Sequence, residues 1–305
     1  MKIYINGFWG GFVENTDPNK FFVFAELFKK VFDTDKIEVS TNPDDCDVLM
    51  ESVFSETTYI NYKNWKYSIF FNGESIQYIF EKKYSRFQYI PKYSCILSGR
   101  FTNKSKKIVN FPLFLLYIYS NNYTQRLLNP PVIHSVPSKN ICAIITNDKS
   151  GLDRNYILDK IQEKIPIDYA GKYRNNVPRV AGDYNSPEMF QFISQYKFVI
   201  TFENQKQETY ITEKIINGFL SNVIPIYYGS DKIHEYFNKD RFILVSNKTD
   251  EAINEAIFRI QELTENEEKY LEMVNKPIFI TNSNDGRLVR NLFTIADDMK
   301  NILNL

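Results

Sequence analysis

Residues 196–230 read YKFVITFENQKQETYITEKIINGFLSNVIPIYYGS. Phe198–Phe202 (FVITF) is a short unbroken apolar run, the signature of a strand buried on both faces. A polar loop follows. Tyr210–Leu220 (YITEKIINGFL) then carries helical spacing, and Val223–Tyr228 (VIPIYY) returns to a buried strand that ends in Tyr228-Gly229-Ser230. The unit is strand, loop, helix, strand, which implies parallel pairing. Its loop and helix N-terminus offer free backbone N–H groups and a positive dipole end, a natural cradle for a diphosphate. Lys214 would add a point charge there, and Glu213 could accept hydrogen bonds from ribose or sugar hydroxyls. Taken alone, the same two residues also fit an acid in a first helical turn and a solvated lysine.

The alternation extends in both directions. Downstream, Phe242–Val245 reads as a strand, and Thr249–Leu263, Glu265–Val274 and Arg287–Leu305 read as helices. Upstream, Asn140–Thr146 and Ile167–Ala170 read as strands. Arg154–Ile165 and Pro187–Tyr196 read as helices, the latter with Pro in its first turn. The first part of the chain repeats the theme. Lys2–Asn6, Lys36–Ser40, Asp47–Phe54, Tyr67–Phe71 and Tyr93–Ser98 read as strands. Lys20–Phe32 reads as a helix with Phe21, Phe24, Ala25 and Phe28 on one face, and Phe111–Tyr119 has strand or core-helix length. The stretch before Ser138 is polar and holds Pro130-Pro131, which suits neither a helix nor a strand interior. The pattern predicts two α/β domains joined near residue 130, with ligands bound in a cleft at the C-terminal strand ends.

The chain has 305 residues, a length that also favours two domains. Lys+Arg and Asp+Glu both number 37, so there is no overall basic field of the kind a nucleic-acid binder uses. Aromatics reach 16%, which predicts a large aromatic core and allows platforms for sugar rings. Cys46, Cys95 and Cys142 are far apart and odd in number, which fits a reducing compartment such as the cytoplasm. Neither a signal peptide nor a membrane-spanning run is expected.

Familiar short motifs are scarce. There is no Walker A loop, GxGxxG, HExxH or GxSxG, and the histidines are only His134 and His234. Two D-x-D tripeptides, Asp33-Thr-Asp35 and Asp45-Cys-Asp47, could hold a metal against a diphosphate, but each sits where a polar turn is expected.

The 196–230 stretch resembles a family. FEN, seven residues, then TEK, followed by Ile-Pro-Ile and an aromatic-Gly-Ser ending, is similar to the donor-site signature of the α-1,3-fucosyltransferases, glycosyltransferase family 10. Weaker likeness covers Lys2–Gly10, Phe70–Ser75, the helix start Asp153-Arg154-Asn155, and Tyr270-Leu271-Glu272-Met273. The resemblance implies a GT-B fold, two Rossmann-like domains with parallel sheets facing a central cleft. Residues 1–130 would form the acceptor-side domain with the catalytic base, and 131–285 the GDP-sugar donor domain. A C-terminal helix over 286–305 would follow, for which packing back toward the N-terminal domain is one arrangement.

The resemblance also implies the chemistry. L-fucose would move from GDP-fucose to a hydroxyl of a glycan acceptor with inversion. Glu74 would be the general base, with Glu51 the runner-up. Arg154 and Lys214 would neutralise the diphosphate, while Asn204, Tyr210 and Glu213 would hold nucleotide and sugar. Two cations in those roles make a metal unnecessary for the chemical step, so no cofactor is expected and a divalent ion would at most stimulate. The partners are a GDP-sugar donor and a glycan acceptor, with no nucleic acid and no transmembrane anchor. Transfer of another GDP-linked sugar, or a non-catalytic glycan- or nucleotide-binding protein, are the alternatives. Two cations at helix N-termini would also oppose the dipoles. Lys214→Ala is therefore expected to leave the empty protein as stable as before, or slightly more so.

Overall fold

The computed structural model describes residues 1–13, 18–74, 91–99, 106–146, 152–182 and 185–305. They divide into two units. The first comprises 1–122, 208–210 and 290–305, and the second 123–207 and 211–289.

The first unit holds a six-stranded, all-parallel sheet in the order β2-β1-β3-β4-β5-β6. Its strands are β1 (Lys2–Asn6), β2 (Glu38–Val39), β3 (Val48–Glu51), β4 (Tyr67–Asn72), β5 (Cys95–Ser98) and β6 (Ile108–Asn110). The central strands β3 and β5 are buried at every position, as expected where helices cover both faces. The helix Pro18–Val31 presents Val23, Phe24, Leu27, Phe28 and Val31 to the core. Phe24 and Phe28 thus face inward as their spacing predicts, whereas Phe21 and Ala25 flank the buried stripe. Phe24 packs against Phe71 and Phe111 at ring separations of 5.1 and 5.8 Å, and Phe8 stacks on Phe12 at 4.1 Å. These aromatics are core.

The uniformly apolar 111–119 run resolves as the helix Leu113–Ser120, opened by Pro112 with φ −60°. Periodicity could not decide this, because nearly every position is buried. The helix Leu292–Leu303 belongs to the same unit. Asn291 and Thr294 form its capping box, and Ile295, Ala296, Met299 and Leu303 are buried. Lys300 Nζ lies 2.8 Å from Asp33 Oδ1, and Arg290 Nε donates to Asn110 O at 2.9 Å.

The chain leaves the first unit between Asn122 and Tyr123, ahead of the paired prolines. The short helix Thr124–Leu128 already belongs to the second unit, where Arg126 Nη2 donates to Leu220 O at 2.6 Å. Here the sheet is again all parallel, in the order β11-β10-β9-β7-β8. Its strands are β7 (Lys139–Ala143), β8 (Ile167–Tyr169), β9 (Tyr196–Ile200), β10 (Ile224–Tyr227) and β11 (Ile243–Leu244). The helices are Leu152–Gln162, Pro187–Ile193, Glu213–Leu220, Asp250–Glu265 and Glu267–Val274. Side-chain caps at Ser186, Thr212, Thr249 and Asn266 explain four of these starts. Among the described residues, no helix is long and apolar enough to cross a membrane.

Cys46, Cys95 and Cys142 are free thiols, each no more than 1% exposed. Burial raises all three, Cys95 to about 12 and Cys142 well above the ordinary thiol value. Thiolate is the reactive form. The native protein should therefore react only slowly with Ellman's reagent and release three equivalents on denaturation. A fast-reacting thiol in the native protein would contradict this packing.

Candidate functional site

In the second sheet, β8 lies on one side of β7 and β9 on the other, so successive connections leave β7 in opposite directions. A crevice opens at such a reversal, beyond the C-terminal strand ends, and open parallel sheets bind ligands there. The structure has a cavity of about 270 Å³ at this point. Ile144–Thr146, which continue β7, and Val199–Phe202, which end and follow β9, form one wall. Two helices open beside it, Leu152–Gln162 after β7 and Glu213–Leu220 after β9. Arg154 sits on the first turn of one, Glu213 and Lys214 on the first turn of the other.

Four of the five donor-side residues picked out in the sequence line this cavity: Arg154, Asn204, Glu213 and Lys214. Arg154 is 2% exposed, and its Nη1 donates to Asn204 Oδ1 at 3.1 Å. Lys214 Nζ donates to Thr212 Oγ1 at 2.9 Å and lies 3.5 Å from Glu213 Oε1. The fifth residue, Tyr210, belongs to the first unit. It is buried there beside Thr209, whose Oγ1 donates to Asn110 Oδ1 at 2.9 Å. The helix expected from Tyr210 starts instead at Glu213. Thr212 takes the extended N-cap conformation, and its side chain accepts from Lys214 N. This places Lys214 at the second helical position, closer to the free N–H groups than the sequence pattern put it.

Glu203, the middle residue of FEN, follows β9 and had no role assigned from the sequence. It is fully buried and accepts three donors. Thr212 N reaches Oε1 at 2.7 Å, Thr212 Oγ1 reaches Oε2 at 2.8 Å, and Lys214 Nζ lies 3.3 Å from Oε2. Burial, together with the nearby Glu213 charge, holds its carboxyl above the usual range, and Lys214 and the Thr212 donors offset only part of that rise. Gly229 makes room for it, because a Cβ there would overlap the Tyr227 hydroxyl and come within 2.7 Å of Glu203 Cγ. The one sequence signal was a carboxylate ending an otherwise apolar strand just before the polar loop.

In the first unit Glu74 directly follows β4 and Gly73. Its N–H donates to Asn72 Oδ1 at 3.2 Å, and its side chain is half-buried. A Cβ on Gly73 would press on the Phe71 ring at 3.0 Å and on Leu113 at 3.1 Å. Ser75, the end of the matching segment, lies outside the described residues. Glu51, the second candidate base, is fully buried. Its Oε1 accepts from Asn6 Nδ2 at 2.6 Å and Tyr59 N at 2.9 Å. Its Oε2 accepts from Thr58 Oγ1 at 2.8 Å and Tyr93 Oη at 2.7 Å. With four donors on two oxygens, Glu51 ties the turn after β3 to β1 and is not poised to take a substrate proton. The D-x-D tripeptides serve turns. Asp33 has φ 46° and pairs with Lys300, and Asp45 closes a 3₁₀ turn capped by Asn42.

The model of glycosyltransferase family 10 (fucosyltransferase), C-terminal part, matches residues 135–275. Residues 135–275 are therefore similar to the C-terminal part of the family 10 fucosyltransferases. The matched span contains the crevice and Glu203, but not Glu74. An α-(1,3)-fucosyltransferase of Helicobacter pylori is 30% identical over 173 residues, 52% of this chain and 35% of that protein. GDP-fucose protein O-fucosyltransferase 3 of Xenopus tropicalis is 22% identical over 196 residues, 63% and 38% of the two chains. The match thus spans little more than a third of these curated relatives. Crystal structures of an α1,3-fucosyltransferase with GDP and with GDP-fucose superpose with TM-scores of 0.69 and 0.68. They are 20% and 19% identical, and each match covers 100% of this chain and 90% of the other. The fold of the two parallel sheets is accordingly of the GT-B class.

The Glu203–Lys214 contact reverses the stability expected from Lys214. A lysine opposing a helix dipole costs about 0.3–1 kcal/mol. Removing the cation from a buried carboxylate costs more, about 1–3 kcal/mol here after allowing for the part of Lys214 that meets solvent. Lys214→Ala should therefore lower the melting temperature of the empty protein, contrary to the sequence-based expectation. An unchanged or raised Tm would show that Lys214 does not compensate Glu203.

Proposed function

We propose that this protein is an inverting glycosyltransferase that moves L-fucose from GDP-fucose to an acceptor hydroxyl. The observation that carries this reading is the crevice beside β7. It gathers Arg154 and Lys214 at two helix N-termini, the setting in which oxyanions are held best. The crystal structures with GDP and GDP-fucose that share the fold support the choice of donor.

In this reading the acceptor oxygen attacks the anomeric carbon as the bond to the β-phosphate oxygen breaks. The electron pair of that bond leaves with GDP. Arg154 and Lys214 offset the charge that develops on the departing diphosphate, and Asn204 holds Arg154 in place. Glu213 accepts from ribose or sugar hydroxyls. Glu74 takes the acceptor proton, which gives inversion in one displacement. The acceptor is taken as a glycan. A protein hydroxyl is the second reading, favoured by the similarity to the protein O-fucosyltransferase. Incubation with labelled GDP-fucose over a glycan array and a panel of folded protein domains separates the two. Parallel hydrolysis assays with other GDP-sugars test the donor. No incorporation into either acceptor class, with no donor turnover, would favour a binding protein.

Glu74→Gln should retain GDP-fucose affinity and lower kcat about 100- to 10,000-fold, the usual contribution of a general base. Near-normal turnover would take the base role away from Glu74. Transfer should also survive EDTA, because in this reading Arg154 and Lys214 supply the positive charge that a metal would otherwise bring to the diphosphate. Complete loss of activity, restored by Mn²⁺ or Mg²⁺, would overturn that expectation; modest stimulation by either ion is compatible with it.

A further inference from the structure

The crevice has a charge composition that is odd for an anion site. Among the described residues its two cations, Arg154 and Lys214, are matched by two carboxylates: Glu213 lines the cavity, and Glu203 lies buried behind Lys214. A nucleoside diphosphate arrives with at least two negative charges, so a site built only for tight binding would not keep a buried anion 3.3 Å from its lysine. Glu203 is also too constrained to be incidental. Its carboxylate accepts from three groups of the helix start: Thr212 N, Thr212 Oγ1 and Lys214 Nζ. Such a set favours the ionised form and opposes the burial that raises its carboxyl. The absent side chain at Gly229 leaves room for the Glu203 side chain at its Cγ.

We infer that Glu203 is a positioning and charge-setting residue: it fixes the Lys214 ammonium at the crevice wall and holds down the site's affinity for the spent nucleoside diphosphate. This rests on the donor-site reading above. The carboxylate acts in two ways at once. It fixes Lys214 in direction, so that the charge is in place before the donor arrives. It also offsets part of that charge over the few ångströms to the phosphates, so that the diphosphate can leave after transfer. A glutamine at the same position keeps the size and an acceptor for Thr212 N, but removes the charge.

Calorimetric titration of Glu203→Gln with GDP and with guanosine tests this. GDP should bind about tenfold more tightly than to the parent protein, the effect of one charge removed several ångströms away at intermediate dielectric. Guanosine, which has no phosphate, should bind as before. In steady-state transfer, kcat and the donor KM should fall together, with burst kinetics marking slow product release. A merely structural role predicts weaker binding of both ligands and no burst, and either GDP result, unchanged or weaker, overturns the proposal. If Glu203→Gln does not fold, the double variant Glu203→Gln/Lys214→Met removes both charges. It should melt above Lys214→Met alone, and at alkaline pH it should bind GDP more tightly than that single variant. A double variant that melts lower, or that binds no better, is the opposing result. Failure of the parent protein to bind GDP at all would instead strike the donor-site reading itself, and this inference with it.

Discussion

A parallel sheet directs all its strand ends one way, and where its connections reverse, nothing fills the space above them. That constraint at β7 governs the second unit. The strands on either side of the reversal each lead into a helix, so two helix N-termini meet at one gap without any long-range design. Residues 50 or more positions apart, Arg154 on one helix and Asn204 after the neighbouring strand, then come into hydrogen-bonding contact. The topology supplies the electrostatic field, and the side chains only refine it.

That refinement runs through a buried acid. Helix N-termini and basic side chains repel each other when no anion is present. The fold meets this by placing Glu203 under the first turn, where its carboxylate caps the Thr212 N–H and faces Lys214. One anion thereby satisfies a backbone donor, a hydroxyl and an ammonium. The first unit contains a second carboxylate used in a comparable way. Glu51 gathers donors from β1, from the turn after β3 and from Tyr93, and so fixes a loop at the sheet's own reversal beside β1. In both units a fully buried glutamate at the C-terminal end of a strand organises the residues around it.

The sequence revealed these features unequally. The strands and most helices of the second unit were legible because Phe198–Phe202 and Val223–Tyr228 are short apolar runs between polar loops, and because Ser186-Pro187 and Thr249 announce helix starts. The crevice residues Asn204, Glu213 and Lys214 were legible through FEN and TEK, and Arg154 through the helix start Asp153-Arg154-Asn155. Other features depend on contacts that spacing does not encode. Glu51 looked like a free acid at a strand end because its donors come from positions 6, 58, 59 and 93. Glu203 needed Gly229, on the far side of a helix and a strand, to show that it had room to sit buried. Tyr210 was drawn into the helix by its apolar neighbours, although the extended backbone at Thr212 ends that possibility. The 111–119 segment gave no period, since burial on all sides removes the contrast that periodicity measures.

The helix Leu292–Leu303 has a consequence for biosynthesis. It completes the core of a unit whose sheet is translated first, and residues 123–289 come between. On the ribosome the β1–β6 sheet must therefore wait, with the hydrophobic positions later covered by Ile295, Ala296, Met299 and Leu303 still open, until the other unit has been made. The second unit is free to fold in the meantime, since most of its contacts lie between residues already synthesised. The order of folding then runs against the order of translation, because residues made after the whole second unit close the first unit's core.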